Sequence, residues 1–143
     1  MARGAKLNMS ERMTVLFANE AFYASFLSGD YETMETLWAR SVPVSCIHPG
    51  GRHLMGWDLV MESWRSILTN SDLPDMECCN SIANIYGDMA VVICYEVFSE
   101  VTLVATNIFV KEGLNWKIIH HQAGGSPPPP VEDQVDEQSK TIQ

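Results

Sequence analysis

The order of apolar and polar residues predicts that the chain begins with two helices. Apolar residues recur at helical spacing from Asn8 to Ser28, and Asn8 and Glu11 have the spacing of a capping box. Asp30 is placed to cap a second, shorter helix, and Pro43 marks its end. The first element is therefore predicted to be a long helix, followed at once by a short one.

The rest of the chain changes from helical spacing to alternation. A short strand is predicted over 42–47 and a third helix over 57–68, which follows a Pro-Gly-Gly turn. Four longer strands, joined by loops too short for a parallel crossover, are predicted over 76–86, 89–98, 101–110 and 116–122. The pattern predicts an α+β fold in which an antiparallel sheet curls around the long first helix.

The length of 143 residues fits one domain, which we place at residues 9–125. Residues 1–8 are predicted to be a disordered N-terminus. Residues 126–143 contain four consecutive prolines and then an acidic stretch with few apolar residues, so we predict a disordered tail.

Charge and composition exclude several classes of protein. The formal net charge is −9 and the nine basic residues are scattered, so nucleic-acid binding is not expected. The longest apolar run, Met89 to Tyr95, is too short to span a membrane, and no apolar segment follows Arg3 and Lys6 as in a secretory signal. We expect a cytoplasmic protein whose four cysteines are reduced thiols.

Six short motifs, in order along the chain, resemble the nuclear transport factor 2-like superfamily. Within it they are most similar to SnoaL-like domains and to the association domain of calcium/calmodulin-dependent protein kinase. The resemblance covers about residues 9–125. The motifs lie at residues 26–31 with 37–39, 46–51, 56–57, 60–64, 87–92 and 116–121.

The resemblance implies a cone-shaped domain with a pocket between the long helix and the concave face of the sheet. It also implies a homodimer formed through the outer face of the sheet. It implies no single activity, because the superfamily includes isomerases, cyclases, dehydratases, transport factors and oligomerisation modules. Function has to be inferred from the residues of the pocket.

His120 is the predicted acid–base residue of that pocket. Neighbouring strand residues face opposite ways, and Lys117 favours solvent, so the alternation puts His121 outside and His120 inside. Tyr95 and Asn107 are predicted to point into the same cavity and to orient a carbonyl or hydroxyl group. A structural role for His120, bonded to a backbone carbonyl, remains the alternative.

Three further residues are predicted near the pocket. His48 either guards the cavity mouth or closes its own loop, and Trp38 and Trp64 fill the core and wall the pocket. No metal is predicted, although Cys46, His48 and His53 crowd one turn. No cofactor is predicted either, because no Gly-rich phosphate loop follows a strand.

Two functional hypotheses follow. In the first, the protein is a homodimeric binding or assembly module whose pocket holds a small apolar or amphipathic ligand. In the second, it is an enzyme of isomerase, cyclase or dehydratase type that uses His120. The first is favoured because Glu96 is predicted to face away from Tyr95, which leaves the pocket without a carboxylate.

Overall fold

The computed structural model describes residues 2–70 and 72–131, with side chains from Ser10 onward. Its elements, in chain order, are α1 Ala2–Ser28, α2 Tyr31–Thr36, β1 Ser45–Ile47, β2 His53–Met55, α3 Trp57–Leu68, β3 Glu77–Tyr86, β4 Met89–Val97, β5 Thr102–Glu112 and β6 Asn115–Ser126. The predicted α+β fold is confirmed. None of the helices in the described part of the chain is long and apolar enough to cross a membrane.

The sheet has six strands in the order β2-β1-β6-β5-β4-β3. Strands β3 to β6 form the predicted antiparallel meander, and β1 joins it by pairing parallel to β6. The sheet is curved and unclosed, and α1 and α3 pack against its concave face. The hydrophobic core lies between these helices and the sheet.

The helix boundaries are set by local capping. Asp30 accepts hydrogen bonds from the backbone N–H and the hydroxyl of Thr33, at 3.1 and 2.6 Å, which confirms the predicted N-cap of α2. Gly29 has a φ of +67°, and a Cβ there would lie 3.0 Å from the Leu68 carbonyl oxygen. Glycine therefore allows the tight turn that packs α2 beside α3.

Helix α1 differs from its prediction in two respects. It begins at Ala2, so Asn8 lies within the helix and does not cap it. Its buried face also differs from the predicted one: the apolar residues at helical spacing that were expected to be buried include Met13, Phe17 and Leu27, but these are exposed. Asn19 and Tyr23 are buried instead. The long helix therefore presents polar side chains to the interior.

The C-terminal residues extend the sheet beyond its predicted end at Gln122. Strand β6 continues to Ser126, where it pairs with Thr102. The Asn80 side chain then donates a hydrogen bond to the Pro130 carbonyl oxygen at 3.0 Å, so the start of the proline-rich segment contacts β3. Residues 132–143 of the predicted tail lie outside the described part of the chain.

Candidate active site

A cavity of about 240 Å³ lies between α1, α3 and the concave face of the sheet. Its walls are mostly apolar and aromatic, which is typical of sites for small organic molecules. The residues that form these walls are Phe22, Phe26, Trp64, Ile67, Phe98 and Leu103.

Exposure along the cavity distinguishes its mouth from its floor. Pro49 and Pro74 are exposed and lie at the mouth, whereas Tyr23, Glu96 and His121 are buried. A molecule that enters between the two prolines therefore meets the polar groups last, after passing the apolar walls.

Glu96 reaches the cavity from β4. The residues of β4 that face inward are Ala90, Val92, Cys94 and Glu96, and all four are buried. Residues directly opposite each other on paired strands share a face, and Val92 pairs with Asn107 while Glu96 pairs with Leu103. The inner faces of β4 and β5 therefore bring Glu96 and Asn107 to the same side of the sheet.

His121 reaches the cavity because β6 contains a bulge. Phe109 pairs with Ile118 but Ile108 pairs with His120, so Ile119 is an extra residue that interrupts the alternation. After the bulge, His120 faces outward and His121 faces inward opposite Asn107. A single inserted residue thus decides which of the two histidines lies in the cavity.

Helix α1 contributes Asn19 and Tyr23, which lie one turn apart on its buried face. The Tyr23 hydroxyl donates to Glu96 Oε2 at 2.7 Å. The Asn107 amide donates to Asn19 Oδ1 at 2.8 Å and to Tyr23 Oη at 3.2 Å. The network therefore joins the helix to three strands of the sheet.

This network determines which ring nitrogen of His121 carries the proton. Both N–H groups of the Asn107 amide donate within the network, so its Oδ1 is an acceptor, and it lies 2.5 Å from His121 Nδ1. His121 Nδ1 must therefore be the donor. The other nitrogen, Nε2, carries a free lone pair and lies 3.9 Å from Glu96 Oε2.

Burial shifts the protonation equilibria of both His121 and Glu96 toward their neutral forms. Desolvation, together with smaller contributions from nearby His48 and His120, lowers the pKa of His121 to about 3. Desolvation raises the pKa of Glu96, and the hydrogen bond from Tyr23 only partly opposes this shift. Although 3.9 Å is within ion-pair distance, an imidazole whose pKa is lowered to about 3 is uncharged near neutral pH and does not form a salt bridge with Glu96.

His48 is a second imidazole in the cavity. The Ser63 hydroxyl donates to the Val60 carbonyl oxygen at 2.7 Å, so it accepts from His48 Nε2 at 2.9 Å. Nδ1 of His48 is then the nitrogen with the lone pair. Burial lowers the pKa of His48, so this ring too favours its neutral form.

Trp64 links the two histidines and carries an unused donor. Its ring lies edge to face with His48, at 4.8 Å between centroids, and 5.7 Å from the His121 ring. Its indole N–H is buried and has no hydrogen-bond partner among the described residues. A buried donor without a partner is unfavourable unless a ligand or water pairs with it.

The structure places some of the predicted pocket residues at the cavity and others elsewhere. His48 and Trp64 line the cavity, and Asn107 lies directly behind His121. Trp38 is fully buried against Trp64, in the core and not in the cavity wall.

The predicted inward orientation is wrong for both His120 and Tyr95. The bulge turns His120 outward, where its Nδ1 lies 2.7 Å from the Ser45 hydroxyl. Tyr95 lies on the outer face of β4. Its orientation was predicted wrongly because β4 is apolar on both faces, so alternation alone does not say which face is inside. For the same reason Glu96 was predicted to face away from the cavity.

Cross-strand pairing is the signal that could have located Glu96. Asn107 was correctly predicted to face inward, and the hairpin after β4 places it opposite Val92. Glu96 is four residues from Val92 and so shares its face. No comparable signal exists for His121, because the bulge has no marker in the sequence.

Metal-binding side chains do not converge in the described part of the chain. No group of three or more histidine, cysteine, aspartate or glutamate residues there has a geometry that could hold a metal ion. The four cysteines are free thiols, and Cys46 and Cys94 are buried. The chemistry available in the cavity is therefore that of His121, Glu96, Tyr23 and His48.

The chain matches the SnoaL-like domain family over residues 15–128, and it belongs to that family. The match includes every residue of the cavity described above. The concave sheet and the long helix place it within the wider group of NTF2-like folds.

Two solved structures and one plant protein show the range of its relatives. A proposed dehydratase of the NTF2-like family from Streptomyces avermitilis is 30% identical, with a TM-score of 0.75, over 83% of this chain and 98% of the other. A proposed association domain of calcium/calmodulin-dependent protein kinase type II from Thiobacillus denitrificans is 26% identical, with a TM-score of 0.69, over 77% and 93%.

The plant relative is the F-box protein SKIP8 of Arabidopsis thaliana, which is 25% identical over 111 residues. The match covers 76% of this chain but 48% of that protein. The chain therefore spans about half the length of its curated relative.

Proposed function

We propose that this protein is an enzyme of dehydratase type, which removes water from a small hydroxy-carbonyl compound by general acid–base catalysis. His121 is the base and Glu96 is the acid. The observation that carries this proposal is the His121 Nε2 lone pair, which lies beside the Glu96 carboxyl group in a buried cavity while Asn107 holds the opposite nitrogen. Adjacent ionisable groups with perturbed pKa values in a buried cavity are typical of catalytic sites.

His121 and Glu96 together can accept and donate the protons that this reaction requires. His121 Nε2 removes a proton from the carbon next to the carbonyl group, and the electron pair of that C–H bond forms the new C=C bond. The C–O bond of the hydroxyl group breaks, and the Glu96 carboxyl proton joins the departing oxygen to give water. No oxidant, reductant or metal is needed.

The short distance between the two groups allows the site to reset. After elimination His121 carries an extra proton and Glu96 is a carboxylate, with Nε2 and Oε2 3.9 Å apart. Because burial disfavours this charged pair, the proton returns from His121 to Glu96. The Tyr23 hydroxyl, 2.7 Å from the same oxygen, stabilises the carboxylate while it exists.

The Streptomyces avermitilis relative supports the reaction type, since it is described as a proposed dehydratase and covers most of this chain. The inward position of Glu96 also removes the reason for favouring a pure binding module. A pocket with a carboxyl group, an imidazole and a phenol is better suited to proton transfer than to passive binding.

The test is a panel of small β-hydroxy ketones assayed for the absorbance of the conjugated enone product. Wild-type protein is expected to produce enone from at least one of them. His121→Gln and Glu96→Gln are each expected to lower kcat/KM by about 10²-fold or more. His120→Gln, on the outer face of the same strand, is the matched control and should stay within about twofold. Full activity in His121→Gln would disprove the assignment.

We also propose that the protein is a homodimer that associates through the outer face of the sheet. The apolar residues Ile82, Tyr86, Met89 and Ile93 are exposed there. An apolar patch on this scale is typical of an interaction surface. The similarity to a proposed kinase association domain supports assembly, and light scattering at several concentrations would test it. A monomer at all concentrations would refute this second proposal.

A further inference from the structure

Cys94 is a buried member of the polar network that the proposed reaction does not use. It lies on the inner face of β4, two residues before Glu96, and it is fully buried behind the cavity wall. We infer that Cys94 is a positioning residue, whose thiol holds the Tyr23 hydroxyl in place as the donor to the Glu96 carboxylate. The catalytic consequence rests on the proposed function, whereas the effect on Glu96 does not.

The sulfur of Cys94 lies where three side chains of the network meet. Its Sγ is 3.3 Å from the Tyr23 hydroxyl oxygen. The side-chain amides of Asn19 and Asn107 each donate to it at 3.9 Å. The thiol therefore contacts two residues of α1 and one of β5, which together fix its position.

The single proton of the Tyr23 hydroxyl decides the direction of these bonds. When Glu96 is a carboxylate, that proton points to Oε2 at 2.7 Å, because a charged oxygen is a much stronger acceptor than sulfur. The Asn107 amide, at 3.2 Å from the same hydroxyl oxygen, can only donate to it. The Cys94 thiol must then also donate to that oxygen. Two donors thus converge on Tyr23 and leave its proton to Glu96.

This arrangement stabilises the charged form of Glu96. A hydroxyl group that accepts hydrogen bonds becomes a stronger donor, because the bonds of a chain polarise one another. A carboxylate gains more from a stronger donor than a neutral carboxyl group does. Burial raises the pKa of Glu96 and the hydrogen bond from Tyr23 lowers it. Removal of the Cys94 thiol is therefore expected to raise the pKa of Glu96.

A thiolate at Cys94 would reverse the direction of the bond to Tyr23. The hydrogen bond from Cys78 is the main cause that lowers the pKa of Cys94, whereas burial and the charge of Glu96 oppose it. If the sulfur were charged, Tyr23 would donate to it and not to Glu96. Loss of that charge would then lower the pKa of Glu96. The sign of the change in the Glu96 pKa therefore distinguishes a thiol from a thiolate.

Other ionisable groups also face Glu96 and have to stay the same in the test. They come from each element that packs around it, and they are Tyr23 of α1, Cys46 of β1, His48 after β1, Cys78 of β3 and His121 of β6. A substitution at Cys94 changes none of them, so a difference in the Glu96 titration reports the loss of the thiol.

Carboxyl-carbon NMR titration of Glu96 in the full chain is the first measurement. We expect Cys94→Ala to raise the pKa of Glu96, by less than Tyr23→Phe does, and Cys94→Ser to restore it because serine supplies a donor again. Cys79→Ala makes the same chemical change on the outer face of β3 and should leave the pKa unchanged. An unchanged or lowered pKa in Cys94→Ala would overturn the inference. If the alanine variant does not fold, Cys94→Val fills the space and gives the same comparison.

A double variant separates positioning from packing. Since the thiol acts through the Tyr23 hydroxyl, Cys94→Ala should cause no further change in the Glu96 pKa when Tyr23→Phe is already present. An equal shift in both backgrounds would show that Cys94 acts by packing alone, and it would overturn the inference.

The dehydration assay can fail independently of these titrations. With an active substrate, the limb of the kcat/KM pH profile that reports Glu96 should move to higher pH in Cys94→Ala. A raised Glu96 pKa without turnover of any β-hydroxy ketone would refute the proposed reaction and leave the role of Cys94 intact. Turnover together with an unchanged Glu96 pKa would support the reaction and refute the role of Cys94.

Discussion

The two faces of strands β4 to β6 differ in the polar groups that they bury and in the apolar surface that they expose. The concave face buries Asn107, Glu96 and His121 among apolar walls, and each of the three makes a hydrogen bond to another element. The outer face has half-buried and exposed apolar residues, among them Ile93 and Ile108, and few polar contacts. The same strands thus carry a closed polar network on one side and uncovered apolar surface on the other.

This difference teaches that hydrophobicity alone does not identify the interior of this sheet. The outer residues are as apolar as those of an ordinary core, whereas the inner residues include the polar ones. The inner polar groups are tolerated because each is bonded to a group from another element. The following predictions test whether the two faces differ as described.

The largest effect is expected at Asn107. Asn107→Leu keeps a similar volume but removes the partner of His121 Nδ1 and the donor to Asn19, so we expect a loss of about 2–4 kcal/mol in the free energy of unfolding. Urea denaturation measures it. Thr106→Val, the next residue on the opposite face, should change stability by less than about 0.5 kcal/mol. Equal stability of the two variants would contradict the network.

A substitution on the outer face is expected to change the association of two copies of the protein. Ile108→Lys places a charge on the half-buried outer surface and is expected to raise the dimer dissociation constant about thirtyfold, which is about 2 kcal/mol. Sedimentation equilibrium measures it. Leu114→Lys adds the same charge in the exposed β5–β6 turn and should not change the constant. If both variants dissociate equally, the effect is one of net charge and not of the sheet face.

The buried imidazole should make stability depend on pH. The unfolded chain protonates His121 near its ordinary pKa of about 6.5, but the folded chain does so only at about 3, so folding loses stability as pH falls from about 6.5 toward 3. Between pH 6.5 and 5 the loss is about 1–2 kcal/mol. This loss of stability should be absent from the His121→Phe variant.

This comparison is best made in the Glu96→Gln background. The raised pKa of Glu96 has the opposite sign, since the folded chain then binds its proton more readily and gains stability as pH falls. Removing that contribution leaves the histidine effect visible. An unchanged pH slope after His121→Phe would show that His121 is not buried in neutral form.

The smallest effect distinguishes the two tyrosines. Tyr23→Phe removes a hydrogen bond that lowers the pKa of Glu96, so that pKa should rise. Carboxyl-carbon NMR titration measures it. Tyr95→Phe, on the outer face, should leave the Glu96 titration unchanged, and an equal shift in both variants would place Glu96 under the control of something other than Tyr23.

The bounds of the helices and strands were predicted more accurately from the sequence than the side of each element that is buried. Helix α3 was predicted with its observed bounds because its apolar residues lie along one stripe and Pro-Gly turns precede it. The buried face of α1 was not predicted, because Asn19 and Tyr23 occupy interior positions that hydrophobic spacing assigns to apolar residues.

The candidate site was predicted only where one strand could be interpreted by itself. Asn107 stands alone among apolar residues on its face of β5, so its inward orientation followed from alternation. Strand β4 has apolar residues on both faces, and β6 contains a bulge at Ile119 that only the pairing with β5 reveals. These two ambiguities are the reason that neither Glu96 nor His121 was predicted to face the cavity.

The buried network also has a consequence for synthesis of the chain. Its bonds join α1 to strands far away in sequence: Glu96 is 73 positions after Tyr23, and Asn107 is 88 positions after Asn19. At about 5–20 residues per second, the helix waits roughly 4–18 s for its partners to emerge from the ribosome. During that interval Asn19 and Tyr23 keep one side of the helix hydrated. The side chains that later organise the cavity thus exchange hydrogen bonds with water for hydrogen bonds with Glu96 and Asn107 only after those strands have emerged.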